Sequence, residues 1–283
     1  MVFFVLPLFL QQCGTQSQEP VVPVSPSQVS CNTTGTVSVQ SSFGTVIATP
    51  PLNPCSTISS STSVQPIALV YHDTSTNCCS QTLATMIQND AKWHFKVLLV
   101  GPSERTSVQA GLAMPGVKIF AEPGATGDDT TSLAAQKGNI PAIRKFVKNG
   151  GRFLGVCMGG YLAGKDEFGL FPVPANEYIK EPGASTISAS DTVIPITWRG
   201  KVRQMYFQDG PSFILTPRTS DVTVLATYSN GEVAAAVARY REGKVAVSGP
   251  HPEADQSWYS AYNLPYPGST QDLGDDLIDT LMQ

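Results

Sequence analysis

Apolar residues recur along this chain in short unbroken runs, and polar stretches of helical spacing lie between several of them. The run IALVY at residues 67–71 has no polar alternation, which predicts a strand buried on both faces. Residues 81–89 follow with Leu83, Met86 and Ile87 at helical spacing. Runs at 95–100, 117–121 and 152–156 predict further strands. A short helix is expected at 106–114, closed before Pro115. Another is expected at 141–148, with Pro141 in its first turn and Gly150 just beyond its end. Strands alternating with helices imply right-handed crossovers and a parallel sheet. From residue 193 the pattern turns to strands at 193–198, 202–207, 222–228, 234–239 and 244–248, richer in antiparallel pairing. The expected fold class is α/β: a mostly parallel sheet flanked by helices, with a strand-rich second half.

Such sheets bind ligands at the carboxyl ends of their strands. The loops after Tyr71, Val100, Ala121 and Val156 should therefore share one rim. Residues 150–161 read GGRFLGVCMGGY, so Cys157 directly follows a strand and precedes a segment able to start a helix. The Gly-x-Cys-x-Gly unit has the form of a sharp strand-to-helix turn, with glycines where side chains would clash. A cysteine there faces a helix N-terminus, which favours thiolate. The N–H of Met158 would point at a developing oxyanion.

Three histidines are present, His72, His94 and His251. His251 stands in KVAVSGPHPEAD, just past an expected strand. Residues two apart in extended backbone point the same way, which pairs His251 with Glu253 as a base and its orienter. His72 follows the first strand and is a candidate substrate contact on the rim. His94 precedes a strand and falls at the opposite edge, in a structural role.

Composition narrows the field. The hydrophobic fraction of 41% is ordinary for a globular protein, whereas only 14% of residues are charged and the net charge is -4. With no basic block, nucleic-acid binding has no electrostatic support. The opening MVFFVLPLFL is too short to cross a bilayer as a helix but suits the core of an export signal. Residues 1–13 are read as a signal peptide or lipoprotein signal, with Cys13 the candidate lipidation site. The expected location is exported: a periplasmic or cell-surface lipoprotein, or a secreted protein. Membrane association is expected only through that lipid. Residues 14–65 are rich in Ser, Thr and Pro and read as a linker or stalk, and 66–283 as the catalytic-type domain. Export permits disulfides among Cys31, Cys55, Cys78 and Cys79. No His/Cys cluster has zinc-site spacing, so neither a metal nor another cofactor is expected.

GGRFLGVCMGGYLAG together with VSGPHPEAD resembles the class I glutamine-amidotransferase-like superfamily, flavodoxin-like in its sheet. More narrowly, the chain is similar to the amidotransferase-like N-terminal domain of biotin–protein ligases and to its stand-alone exported forms. The segments VYHDTSTNCCSQTL, PGATGDD, MYFQDGPSF and GKVAVSGPHPE occur in the order of that family. The resemblance implies a triad of Cys157, His251 and Glu253, with Gly124 and Met158 forming the oxyanion hole. Ala125 stands where relatives tend to have glycine. The resemblance also places Gln208 and Asp209 near the site, where with Ala125 they are candidate substrate contacts; Asp128 and Asp129 are expected to cap the next helix or to touch substrate. The implied activity is cysteine-dependent hydrolysis or amidotransfer at an amide or acyl bond of a small-molecule or peptide-like substrate. The alternative is a non-catalytic module that binds a small ligand or a cell-envelope partner.

Overall fold

The computed structural model describes residues 65–217 and 219–283, and of Cys78 only the backbone. The expected signal and nearly all of the stalk, with Cys13, Cys31 and Cys55, lie outside these residues. The disulfides expected among Cys31, Cys55, Cys78 and Cys79 are therefore outside what the structure describes. No helix among the described residues is long and apolar enough to cross a membrane.

The first half alternates as its apolar runs require. Strand β1 (Ile67–Tyr71) leads to α1 (Asn77–Gln88), β2 (Lys96–Val100), α2 (Val108–Leu112) and β3 (Val117–Glu122). Helices α3 (Asp129–Gln136) and α4 (Ile140–Lys148) precede β4 (Arg152–Val156) and α5 (Met158–Ala163). Helix α1 begins four residues before the spacing of Leu83, Met86 and Ile87 announces it. The Asp73 carboxylate accepts the N–H groups of Ser75 and Thr76 and so turns the chain into the helix.

The second half supplies β5 (Asn176–Glu177), β6 (Thr192–Trp198), β7 (Lys201–Phe207), β8 (Pro211–Ser212), β9 (Val222–Tyr228), β10 (Val233–Tyr240) and β11 (Gly243–Ser248). Helices α6 (Gln256–Ala261) and α7 (Gln271–Met282) close the chain. Nine strands form one sheet in the order β2-β1-β3-β4-β11-β10-β9-β6-β7. The strands from β2 to β11 run parallel, and those from β11 to β7 pair antiparallel. The return of β11 to the parallel half places the loop after Ser248 on the same rim as the loops after β1, β3 and β4.

Alternate residues of the strands feed cores on opposite faces. Ala68, Val70 and Leu154 pack with α1 and α7, whereas Leu69, Phe120 and Phe153 pack with α4 and α5. The segment between α5 and β6 is anchored to the core. Phe168, Phe171 and Tyr178 are fully buried, and Tyr178 stacks on Tyr228 with ring centroids 3.7 Å apart.

Candidate active site

Cys157 caps β4 in a conformation that L-residues seldom adopt, with φ 51° and ψ -109°. The glycines around it are required by space. A Cβ on Gly155 would lie 2.2 Å from the carbonyl oxygen of Gly159, and one on Gly159 would lie 2.0 Å from that of Glu122. The Cys157 N–H continues the β4–β11 ladder by donating to the Ser248 carbonyl at 2.8 Å. Strand ends and tight packing together hold the residue in a strained state.

His251 arrives from the adjacent strand's loop. Its N–H donates to the Tyr206 carbonyl at 3.0 Å, an isolated bridge that fixes its backbone. Its Nδ1 lies 2.9 Å from Glu253 Oε1, and their side chains are 3% and 0% exposed. The Cys157 side chain lies close enough to the same imidazole to act on its charge. Burial alone would lower the His251 pKa. The negative charges of Glu253 and Cys157 outweigh it and push the imidazole up to about 10. The arrangement therefore favours the imidazolium form of His251. Tyr206 and Trp258 set their rings against the imidazole at 5.8 and 5.1 Å between centroids.

The loop after β3 crosses this pair. A Cβ added to Gly124 would lie 3.0 Å from His251 Cε1 and 3.6 Å from the Cys157 Cβ, so only glycine fits without displacement. Cys79 borders the same point, its sulfur 3.3 Å away. The loop is fastened at both ends. Pro123 accepts from the Gly159 N–H at 3.1 Å, and the Thr126 N–H donates to Ser75 at 2.9 Å. Just before it, Glu122 is 2% exposed and accepts two hydrogen bonds from the Gln136 amide. Burial, more than any other influence, holds its carboxyl well above the ordinary range.

A third loop closes over the thiol. Cys157 Sγ donates to the Gln208 carbonyl at 3.5 Å, and Tyr161 donates its hydroxyl to the Asp209 carbonyl at 3.2 Å. Gly210 presses on Gly249, since a Cβ there would be 2.1 Å from the Gly249 oxygen. A cavity of about 500 Å³ opens above Cys157 and is bordered by Ala125, Met158, Gln208 and Asp209.

The sequence-predicted residues Cys157, His251, Glu253, Gly124, Ala125, Met158, Gln208 and Asp209 thus come together. His72 does not border the cavity. It sits on the expected rim, but its Nδ1 is 2.6 Å from Glu104 and its Nε2 3.1 Å from Asn77, so both ring nitrogens are engaged elsewhere. Asp128 caps α3 by accepting the Thr131 N–H at 2.6 Å. Sequence reading overlooked Glu122, Tyr161, Glu177, Asp191 and Tyr206. The signal for Glu122 was a carboxylate ending an otherwise apolar strand; the others carry no local sign.

Residues 68–170 and 173–279 match the family described as biotin-protein ligase, N terminal. This chain belongs to that family. A curated relative, the biotin–protein ligase of Schizosaccharomyces pombe, is 33% identical over 138 residues, which cover 39% of this chain and 22% of the ligase. The match thus reaches about a fifth of that ligase's length. Among solved structures, a glutamine amidotransferase from Thermotoga maritima is similar, with a TM-score of 0.48 at 15% identity over 77% of this chain and 89% of its own. An exo-beta-1,4-mannosidase from Opitutaceae bacterium strain TAV5 gives 0.45 at 15% identity over 78% of this chain and 36% of its own.

Proposed function

We propose that this protein is an exported cysteine-dependent hydrolase that cleaves an amide or related acyl bond. The observation that carries the reading is the strained Cys157 set beside an imidazole whose other nitrogen is held by a buried carboxylate. In this reading the Cys157 thiolate attacks the carbonyl carbon, and the N–H groups of Met158 and Gly124 receive the oxyanion. The protonated His251 gives its proton to the leaving nitrogen, and the C–N bond breaks to leave a thioester. Water then attacks the thioester as His251 takes its proton. The acid departs and the thiolate–imidazolium pair is restored. Glu253 fixes the tautomer and ring orientation throughout. The apolar opening of the chain supports export, with lipidation at Cys13 as its anchored form.

The test is the rate of alkylation of Cys157 by iodoacetamide against pH, in the intact protein and in His251→Ala. A free thiol with pKa near 8.5 is about 1% thiolate two units lower, so loss of the pair should slow labelling up to about 100-fold there. Slow labelling of the intact protein, indifferent to His251→Ala, would sink the hydrolase reading. Fast labelling justifies a screen of amides and esters.

A further inference from the structure

Two cysteines flank one unfilled point in this site. A Cβ on Gly124 would lie 3.3 Å from Cys79 Sγ and 3.6 Å from Cys157 Cβ. Glycine leaves that point empty, so residue 124 puts no side chain between them. Neither the triad nor the oxyanion donors use the Cys79 thiol.

Cys79 is brought there by its helix. It lies in the first turn of α1, one turn before Leu83 on the stripe that continues through the buried Met86 and Ile87. That stripe faces the core, so the half-buried Cys79 points its sulfur at the rim of the sheet. The start of α1 is also tied to the loop that carries Gly124, because the Thr126 N–H and hydroxyl both donate to the Ser75 carbonyl. On its other side Cys79 is close enough to act on the charge of Tyr206, whose ring packs on His251. The second thiol thus belongs to the wall of the site and is held in register with the first.

We propose that Cys79 is the resolving thiol of Cys157, and that a hydroperoxide oxidant joins the two in a reversible disulfide that shuts the site. The Cys157 sulfur attacks one oxygen of hydrogen peroxide. The O–O bond breaks, an S–O bond forms, and the other oxygen leaves as water. Cys157 is then a sulfenic acid, oxidised by two electrons. The Cys79 sulfur attacks it, the S–O bond breaks as the S–S bond forms, and the hydroxyl departs with the Cys79 proton as a second water. A dithiol reductant reverses the bridge by thiol exchange. The elbow fixes the Cys157 backbone, so closure calls for rotation of the Cys79 side chain and a slight approach of α1. The device needs a reactive Cys157 but no substrate, and so goes beyond the hydrolase reading without resting on it.

The test uses the full chain, reduced with dithiothreitol, desalted, treated with hydrogen peroxide, blocked with N-ethylmaleimide and digested with chymotrypsin without reduction. Mass spectrometry should find Cys157 joined to the peptide that holds Cys78 and Cys79. Cys78→Ser should keep that link and Cys79→Ser should lose it. In the intact protein dithiothreitol should restore iodoacetamide labelling of Cys157. In Cys79→Ser nothing traps the sulfenic acid, so Cys157 should pass to sulfinic acid and recover at least about fivefold less. The link in the intact protein and in Cys78→Ser decides the matter even where Cys79→Ser does not fold. The inference is overturned by no link, by a link from Cys157 to another cysteine, by Cys79 bridged to Cys31 or Cys55 before reduction, or by equal recovery with and without Cys79. A link formed while iodoacetamide labelling ignores His251→Ala sinks the hydrolase reading and leaves this one standing. Rapid labelling that depends on His251, with no link, gives the reverse.

Discussion

His251 Nδ1 and Glu253 Oε1 stand 2.9 Å apart with almost no exposure, two residues apart in one loop. Among the described residues no other cation pairs with the carboxylate, and its Oε2 accepts no hydrogen bond. The carboxylate therefore keeps the buried imidazole charged. Removing one partner leaves a buried charge, which typically costs about 3–5 kcal/mol.

That coupling has a pH signature. The folded His251 pKa is raised from 6.5 to about 10, so its contribution to stability is complete below 6.5 and is lost as pH rises towards 10. Urea unfolding across this window should show the intact protein losing stability that Glu253→Gln never had. Equal slopes in the two proteins would refute the coupling.

Gly159→Ala should be among the most damaging single changes in the domain. The new Cβ would meet the Glu122 backbone at 2.0 Å, where no flexible side chain can yield. Overpacking of this kind costs about 1–3 kcal/mol or more, and here it also pushes the elbow away from the loop at 123–126. The expected outcome is a lower urea midpoint together with slower Cys157 alkylation.

Glu122 should tolerate glutamine far better than alanine. Burial pushes its carboxyl well above the ordinary range, and a neutral amide keeps its shape and a bond with Gln136. Glu122→Ala strands the Gln136 amide and opens a void, at a cost of about 2–4 kcal/mol. Because the folded pKa of Glu122 is raised, the intact protein also loses stability as pH climbs above the ordinary carboxyl range. Glu122→Gln should flatten that part of the curve, as read by unfolding at several pH values.

Tyr206 separates ring from hydroxyl. Its ring edge packs on His251, while its hydroxyl reaches Asp191. Tyr206→Phe should keep Cys157 alkylation within about threefold, since the packing survives. Tyr206→Ala should slow it by more, because the imidazole loses a wall.

The strands were legible because a continuous apolar run has few other uses. β1, β4 and β9 begin and end where those runs do. Helix α7 is equally regular, with Leu273, Leu277, Ile278 and Leu281 on one buried stripe, although no helix was expected there from the sequence. Cys157, His251 and Glu253 could be found because each sits in a local pattern with its own geometry. Tyr206, Asp191 and Glu177 could not. They reach the site through the pairing of β6 with β7 and of β5 with β8, and nothing near them in sequence announces that meeting.

The strand order also sets a timetable. Cys157 ends β4, and His251 follows β11, which inserts between β4 and β10 after the intervening strands have been made. Contacts of such long sequence separation form late. A chain in which β11 has not yet docked therefore carries Cys157 without the imidazole beside it. The last central strand to dock is what completes the pair, so an incompletely folded copy keeps the thiol apart from its buried neighbour.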